Sequence, residues 1–323
     1  MYPLKFEPIL KTKIWGGNRI IPFKHLSENL PDVGESWELS GLEGDESIVA
    51  NGPEKGCTIR EMVRHYKAEM MGEENYANFG EDFPLLIKFI DAKEDLSVQV
   101  HPDDVLAKQR HNSFGKTEMW YVIDADKGSK ITSGFSQEIT KKEYKERVLN
   151  NTFSEVLMAH DAHPGDVFFL PAGRVHAIGA GVFLAEIQQS SDITYRIYDY
   201  NRKDANGKTR DLHVELAKDA INYEVLDDYR TQYEAVKDEP VELVACPYFT
   251  TSLYDLTEDI TCDYSELDSF VIFMCCQGSC MLTDNEGHSL PVQSGETVFI
   301  PASTETVKLV PNEGGAKLLE VYI

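Results

Sequence analysis

Gln99 and His101 stand two residues apart in the stretch Leu96-Ser97-Val98-Gln99-Val100-His101-Pro102. In a β-strand, side chains alternate, so Ser97, Gln99 and His101 share one face and Leu96, Val98 and Val100 the other. A glutamine carbonyl and an imidazole on one face can reach one metal ion or one small ligand. They can equally be the wet side of an antiparallel sheet. Two more donors lie further along. Glu118 opens the strand-like run Glu118-Met119-Trp120-Tyr121-Val122-Ile123, and His176 follows the turn Pro171-Ala172-Gly173. Two histidines, a glutamate and a glutamine carbonyl suit zinc or another borderline divalent ion. They are too scattered to form a local motif, so a fold must gather them. Lys116 precedes Glu118 by two residues and would share its face. A neighbouring dication favours the neutral amine, which makes Lys116 a candidate base; a phosphate anchor is the equal alternative.

The elements that must position these groups are mostly short strands. Leu85-Leu86-Ile87-Lys88-Phe89-Ile90 reads as a buried strand with one lysine in it, and Gly181 to Ile187 as another, carrying Glu186. A carboxylate there is costly unless a lysine or a ligand hydroxyl partners it. Tyr195-Arg196-Ile197-Tyr198-Asp199-Tyr200 alternates bulky and charged residues. Capping boxes at Thr58-Ile59-Arg60-Glu61 and Thr140-Lys141-Lys142-Glu143 predict helices running to about Met71 and Leu149. Further helices are expected near Val105 to Arg110 and Val214 to Asn222. Gly16-Gly17 reads as a turn, and Trp15 and Trp37 as packing residues.

One unit is duplicated. Pro164-Gly165-Asp166-Val167-Phe168-Phe169-Leu170-Pro171-Ala172 recurs 130 residues later as Ser294-Gly295-Glu296-Thr297-Val298-Phe299-Ile300-Pro301-Ala302. Turn, strand and turn, repeated among many short strands, suggest two related β-barrels or sandwiches. The copies diverge afterwards, where Thr306 stands in place of His176. Only the first half is therefore expected to carry a working site. The polar, acidic stretch Asp227 to Pro240 reads as the linker between the halves.

Composition narrows the partners. Acids outnumber bases 55 to 31, for a net charge of −24. That weighs against nucleic acid and anionic membranes, and a small anionic ligand would need a local basic cluster. No apolar run reaches the ~20 residues of a membrane span, and Met1-Tyr2-Pro3-Leu4-Lys5 does not read as a signal peptide. Six cysteines without a C-x-x-C pair read as free thiols in a reducing, cytoplasmic setting.

Four segments in order carry a family resemblance: Gln99-Val100-His101-Pro102, Lys116-Thr117-Glu118-Met119-Trp120, Pro171-Ala172-Gly173-Arg174-Val175-His176-Ala177, and Glu186-Ile187-Gln188-Gln189-Ser190-Ser191-Asp192-Ile193-Thr194-Tyr195-Arg196. Together they resemble the zinc-dependent type I mannose-6-phosphate isomerases, in their compact bacterial form. The resemblance implies a mainly β fold of two cupin-type β-barrels (jelly-roll, double-stranded β-helix) with a few peripheral helices. It implies a catalytic cupin domain over residues 1–235, with N-terminal strands and helical insertions, and a cupin-like domain without metal ligands over 240–323. One Zn2+ per chain, or another divalent metal, would be held by Gln99, His101, Glu118 and His176. Arg196 would lie in the active site with Lys88, Ser97, Lys116, Glu186 and Asp192. Lys116 and, secondarily, Asp192 are the candidate proton shuttles. Arg202 stands where longer relatives have a lysine, and it is a candidate phosphate contact. The activity implied is aldose–ketose isomerisation of mannose 6-phosphate and fructose 6-phosphate through an enediolate. The alternative is a non-catalytic sugar-phosphate-binding cupin sensor. The partner is a small sugar phosphate in either case, and monomer and homodimer both stay open.

Overall fold

The computed structural model describes residues 1–204 and 206–323. Nineteen strands, seven α-helices and one 3-10 turn occur among them. Alternation along the strands of the first two thirds produces two sheets that share an interior. A six-stranded sheet runs in the order Ile9–Gly17, Val33–Leu39, Leu85–Asp91, Val182–Gln189, Glu118–Ala125, Val167–Leu170. A five-stranded sheet runs Tyr195–Tyr198, Val98–Val100, His176–Ile178, Lys130–Phe135, Leu157–Asp161. Every ladder between these strands is antiparallel.

The strand Leu85–Asp91 is buried on both faces. Leu85, Ile87 and Phe89 face outward, into a core shared with Ile272, Leu319 and Val321 of the C-terminal third. Ile90 faces the interior between the sheets, with Trp120, Val122, Leu184 and Ile178. Period-two alternation puts Lys88 on that same inner face. Its neighbours follow the same rule: Glu186 aligns with Val182 and Leu184, and Glu118 with Trp120 and Val122. The interior is thus apolar at one end and charged at the other. On the five-stranded sheet, Val98, Val100, Tyr195 and Ile197 pack outward with Tyr144 and Ala217 from two helices. Gln99 and Arg196 therefore turn inward.

The C-terminal third forms an eight-stranded sheet around Val271–Asp284 and Thr306–Tyr322. Its edge partner is the N-terminal strand Leu4–Lys5, which pairs with Thr297–Ile300. The duplicated unit is a strand in both places, Val167–Leu170 and Thr297–Ile300, each after a glycine at φ near +90° (91° and 83°). His176 and Thr306 each begin the next strand.

The fold is mainly β and cupin-like, as expected, but among the described residues neither half closes into a barrel. Among the described residues, no ladder joins the five-stranded to the six-stranded sheet. Several local readings also shift. The helix capped by Thr58 spans Ile59–Tyr66 and buries Ile59, Met62 and Val63. It stops there because Lys67 takes φ 49°, and Ala68–Met71 is a separate turn of helix. The second capping box starts Lys141–Leu149 as expected. Gly16 and Gly17 end a strand rather than make a turn. A Cβ on Gly17 would lie 2.0 Å from the Asp91 carboxylate, whose oxygen accepts the Arg19 N–H at 2.7 Å. The stretch 227–239 is irregular but pinned: buried Tyr229 hydrogen-bonds through its hydroxyl to the N–H and carbonyl of Phe135, both at 3.0 Å.

Candidate active site

His101, Glu118 and His176 converge, with one ligand atom from each within 4.8 Å of the others. They come from three places: His101 just past the short strand Val98–Val100, Glu118 at the head of Glu118–Ala125, and His176 at the head of His176–Ile178. All three are buried. Each imidazole has its Nδ1 at 2.8 Å from a backbone carbonyl, of Ile193 for His101 and of Arg174 for His176. Both rings are thereby fixed as Nδ1–H tautomers with the Nε2 lone pair turned inward. The two Nε2 atoms are 3.1 Å apart, and His176 Nε2 is 3.2 Å from Glu118 Oε1.

Lone pairs facing one another and a carboxylate in a buried site repel unless a cation lies among them. Protonation is not the remedy, because burial, then the nearby Lys116 charge, pushes His176 down to about 3. His101 is pushed down for the same reasons. Both Glu118 oxygens are buried without a hydrogen-bond donor. Lys116 Nζ lies 3.0 Å from Oε2 and hydrogen-bonds His101 Nε2 at 3.1 Å, one cation at the edge of the cluster that leaves His176 Nε2 and Glu118 Oε1 facing each other. Burial pushes Glu118 up despite that lysine. Two neutral imidazole nitrogens and a carboxylate left without donors fit a divalent metal.

In front of this cluster opens a cavity of about 460 Å³. Gln99, whose backbone pairs with both His176 and Arg196, lines it, as do Ser97, Lys88, Lys116, Glu186, Asp192 and Arg196. Lys88 Nζ meets Glu186 Oε1 at 2.9 Å and Gln188 Oε1 at 2.8 Å, and the Trp120 indole N–H donates to Glu186 Oε2 at 2.8 Å. Burial disfavours both charges, but the attraction between them wins. Lys88 is raised and Glu186 lowered from their ordinary values. The half-buried Arg196 donates through Nε to Ser97 Oγ at 3.3 Å and through its terminal nitrogen to the Asp211 carbonyl at 3.1 Å.

Arg202 is not on this cavity wall. Asp199 Oδ1 holds it at 2.6 Å, and it lines a smaller cavity of about 110 Å³. Arg210, bound to the same Asp199, is the loop arginine that lines the larger one. Lys11, Lys13, Glu35, Trp37, Asp45 and His213 also line it, beyond the site residues expected from the sequence. For some of them the sequence does carry a signal: Lys11, Lys13 and Trp15 alternate along one strand, Glu35 and Trp37 along the next. Lys11 Nζ lies 4.7 Å and Lys88 Nζ 5.4 Å from the centroid of the Trp37 ring, so this tryptophan is a charged wall as well as packing. Nothing local marks Arg210 or His213. The lining carries six lysines and arginines against four carboxylates, in a chain whose net charge is −24. It is a basic cluster of the kind a small anionic ligand requires.

Comparison with known proteins agrees in all parts of the chain. Residues 4–129 match the family model of the type I phosphomannose isomerase catalytic domain, and residues 240–323 that of the mannose-6-phosphate isomerase cupin domain. The mannose-6-phosphate isomerase ManA of Bacillus subtilis is 35% identical over 99% of both chains. A mannose-6-phosphate isomerase of Streptococcus mutans is 35% identical over 80% of both. The crystal structure of the mannose 6-phosphate isomerase from Bacillus subtilis superposes with a TM-score of 0.89, at 30% identity over 100% of both chains.

Proposed function

The chain belongs to the type I phosphomannose isomerases, and on that footing we propose that it interconverts mannose 6-phosphate and fructose 6-phosphate in the cavity of about 460 Å³. The observation that carries the reading is the convergence of His101, Glu118 and His176 behind a cation-rich wall. Their three ligand atoms, with the Gln99 carbonyl as fourth donor, would hold one zinc ion per chain; other borderline divalent ions suit the same set. When bound, such an ion supplies Lewis-acid polarisation of the sugar carbonyl and its neighbouring hydroxyl.

The chain's own residues do the rest. Aldose-to-ketose conversion moves one proton from C2 to C1 and one from O2 to O1. Lys116, whose Nζ beside Glu118 a bound dication would hold as the neutral amine, takes the C2 proton and returns it to C1. Asp192 takes the hydroxyl proton and delivers it to O1. Arg196 keeps its charge and forks onto the enediolate oxygen or the phosphate. Ser97 fixes the Arg196 side chain, and Lys88 and Glu186, locked together, present a charge pair to the sugar hydroxyls. Arg210 faces the phosphate, and Arg202 braces Asp199 behind it. These assignments divide the chain into a catalytic part through residue 235 and a C-terminal cupin part from 240.

A non-catalytic sensor would need neither the metal cluster nor Lys116, and relatives named as isomerases favour the enzyme. The acidity of the chain weighs against nucleic-acid and membrane partners, and six free cysteines support a cytoplasmic setting. The test is a coupled assay on protein stripped by a chelator. Loss of turnover, restored by zinc, supports the reading. Full activity in protein shown by elemental analysis to be metal-free sinks it.

A further inference from the structure

The internal duplication extends beyond its turn-strand-turn unit. Gly181-Val182-Phe183-Leu184-Ala185-Glu186-Ile187 has a counterpart in Gly315-Ala316-Lys317-Leu318-Leu319-Glu320-Val321. Strand register fixes the equivalence. Glu186 pairs with Lys88 on one side and Trp120 on the other, and Glu320 pairs with Ser252 and Phe273. Trp120 faces Phe168, while Phe273 faces Val298, the residue 130 positions after Phe168. By the same ladders Glu118 corresponds to Val271, since Glu118 faces Leu170 and Val271 faces Ile300. The second half has therefore lost a metal ligand (Val271), a second one (Thr306) and the buried cation (Ser252 for Lys88). It has kept the glutamate.

That glutamate is 4% exposed and lines a second cavity, of about 500 Å³. The hydroxyls of Tyr254, at 3.1 Å, and Tyr264 both donate to its Oε1. Among the described residues no donor reaches Oε2. Glu242 and Asp263 add two carboxylates to the lining, and among the described residues no lysine, arginine or histidine lines it. Burial pushes Glu320 up even against its two phenol donors. A buried carboxylate with no cation is costly, and here a ligand has room to supply one. A bare metal ion does not fit: among the described residues only His101, Glu118 and His176 converge closely enough to hold one. A sugar phosphate does not fit either, because three carboxylates repel it.

We propose that this cavity is a second ligand site, for a small organic cation whose ammonium group donates to Glu320 Oε2. The ammonium takes the role that Lys88 plays toward Glu186 in the first half. Its carbon body rests against Ile260, Leu267 and the Tyr322 ring.

The test is titration calorimetry on the metal-loaded protein, with the first cavity saturated by an equilibrated mannose 6-phosphate mixture. Cyclohexylamine and cyclohexanol are the probes, matched in shape and different in charge. The amine is expected to bind at least about tenfold more tightly than the alcohol, as hydrogen bonds to charged groups require. Glu320→Gln keeps the phenol contacts and is expected to lose about tenfold of the amine affinity at unchanged isomerase kcat/KM and melting temperature. Ser252→Lys supplies an internal cation and is expected to abolish amine binding in a folded, active protein. Equal affinity for amine and alcohol, full amine affinity in Glu320→Gln, or no amine binding by the unmodified protein overturns the proposal.

Discussion

Replacing Lys88 with methionine would leave Glu186 stranded, and the size of the loss follows from the site. The two side chains are 7% and 4% exposed, with 2.9 Å between Nζ and Oε1. Removing one partner of a buried ion pair costs about 3–5 kcal/mol. Glu186 would keep the Trp120 indole N–H and the field of Lys116, which puts this loss at the lower end, about 3 kcal/mol. Gln188 Oε1 also loses its lysine donor at 2.8 Å, adding about 1 kcal/mol. The expected destabilisation of Lys88→Met is therefore about 4 kcal/mol. In Lys88→Met/Glu186→Gln the stranded charge is gone, and the double variant should be only about 1–2 kcal/mol below the unmodified protein. A double variant more stable than one of its parents is the signature of the pair.

Urea unfolding of chelator-treated protein reads this without a metal contribution. The pH dependence provides a second check. In the unmodified chain burial acts to raise the Glu186 pKa, but Lys88 and Lys116 outweigh it and hold the group below its ordinary 4.5. A depressed carboxylate contributes stability that is present above 4.5 and lost as pH falls below it. Without Lys88 the burial effect dominates and the folded-state pKa rises above the unfolded one. The folded variant then binds the proton more tightly, so its deficit should shrink as pH falls from neutral towards the ordinary carboxylate range. A Lys88→Met loss under about 1 kcal/mol, or a double variant as unstable as the two single losses added, would refute the reasoning.

Three further outcomes are expected. His176→Ala should lose bound metal in elemental analysis while keeping its far-UV dichroism, whereas Arg196→Ala should keep the metal and lose about 10²-fold or more in turnover; metal loss in the arginine variant would make that residue structural. Zinc at about a hundredfold its Kd should stabilise the stripped protein by about 2.7 kcal/mol, read by scanning calorimetry; an unmoved transition would reject the His101–Glu118–His176 cluster as a metal centre. Tyr229→Phe removes a hydroxyl that serves Phe135 N–H and carbonyl and Leu226 N–H, and should cost about 1–3 kcal/mol in denaturant unfolding; no loss would mean that the 227–239 segment does not depend on this anchor.

Period-two alternation makes part of this site legible in the sequence itself. It places Ser97, Gln99 and His101 on one face, and the five-stranded sheet turns Gln99 inward because Val98 and Val100 are needed outside, against Tyr144 and Ala217. The same rule puts a lysine inside Leu85–Asp91 and requires a partner for Glu186, and the two satisfy each other. Alternation says which residues share a face but not which strands share a sheet. Lys11, Lys13 and Trp37 reach the cavity because Ile9–Gly17 and Val33–Leu39 extend the sheet beyond Leu85–Asp91, an order no local pattern encodes. Arg210 rather than Arg202 lines the cavity through a loop whose direction is set by a shared Asp199, a tertiary choice between two similar side chains.

The duplication marks the same boundary between local pattern and register. Comparing segments by spacing alone finds the Gly-acid-strand-Pro-Ala units and the loss of His176 to Thr306. It misses that Glu320 answers to Glu186, because the hairpins between differ in length and the offset changes from 130 to 134. Ladder partners restore it, since Trp120 and Phe273 each sit between the two equivalent strands. A glutamate kept on the inner face after its lysine has become Ser252 is not maintained by ion pairing within the chain. Packing does not explain it either, since Val182/Ala316 and Leu184/Leu318, the residues on the same face, are apolar in both halves. What remains on that face is the pair of phenol hydroxyls, of Tyr254 and Tyr264, that donate to Oε1, and the cavity beside an Oε2 that no donor among the described residues reaches.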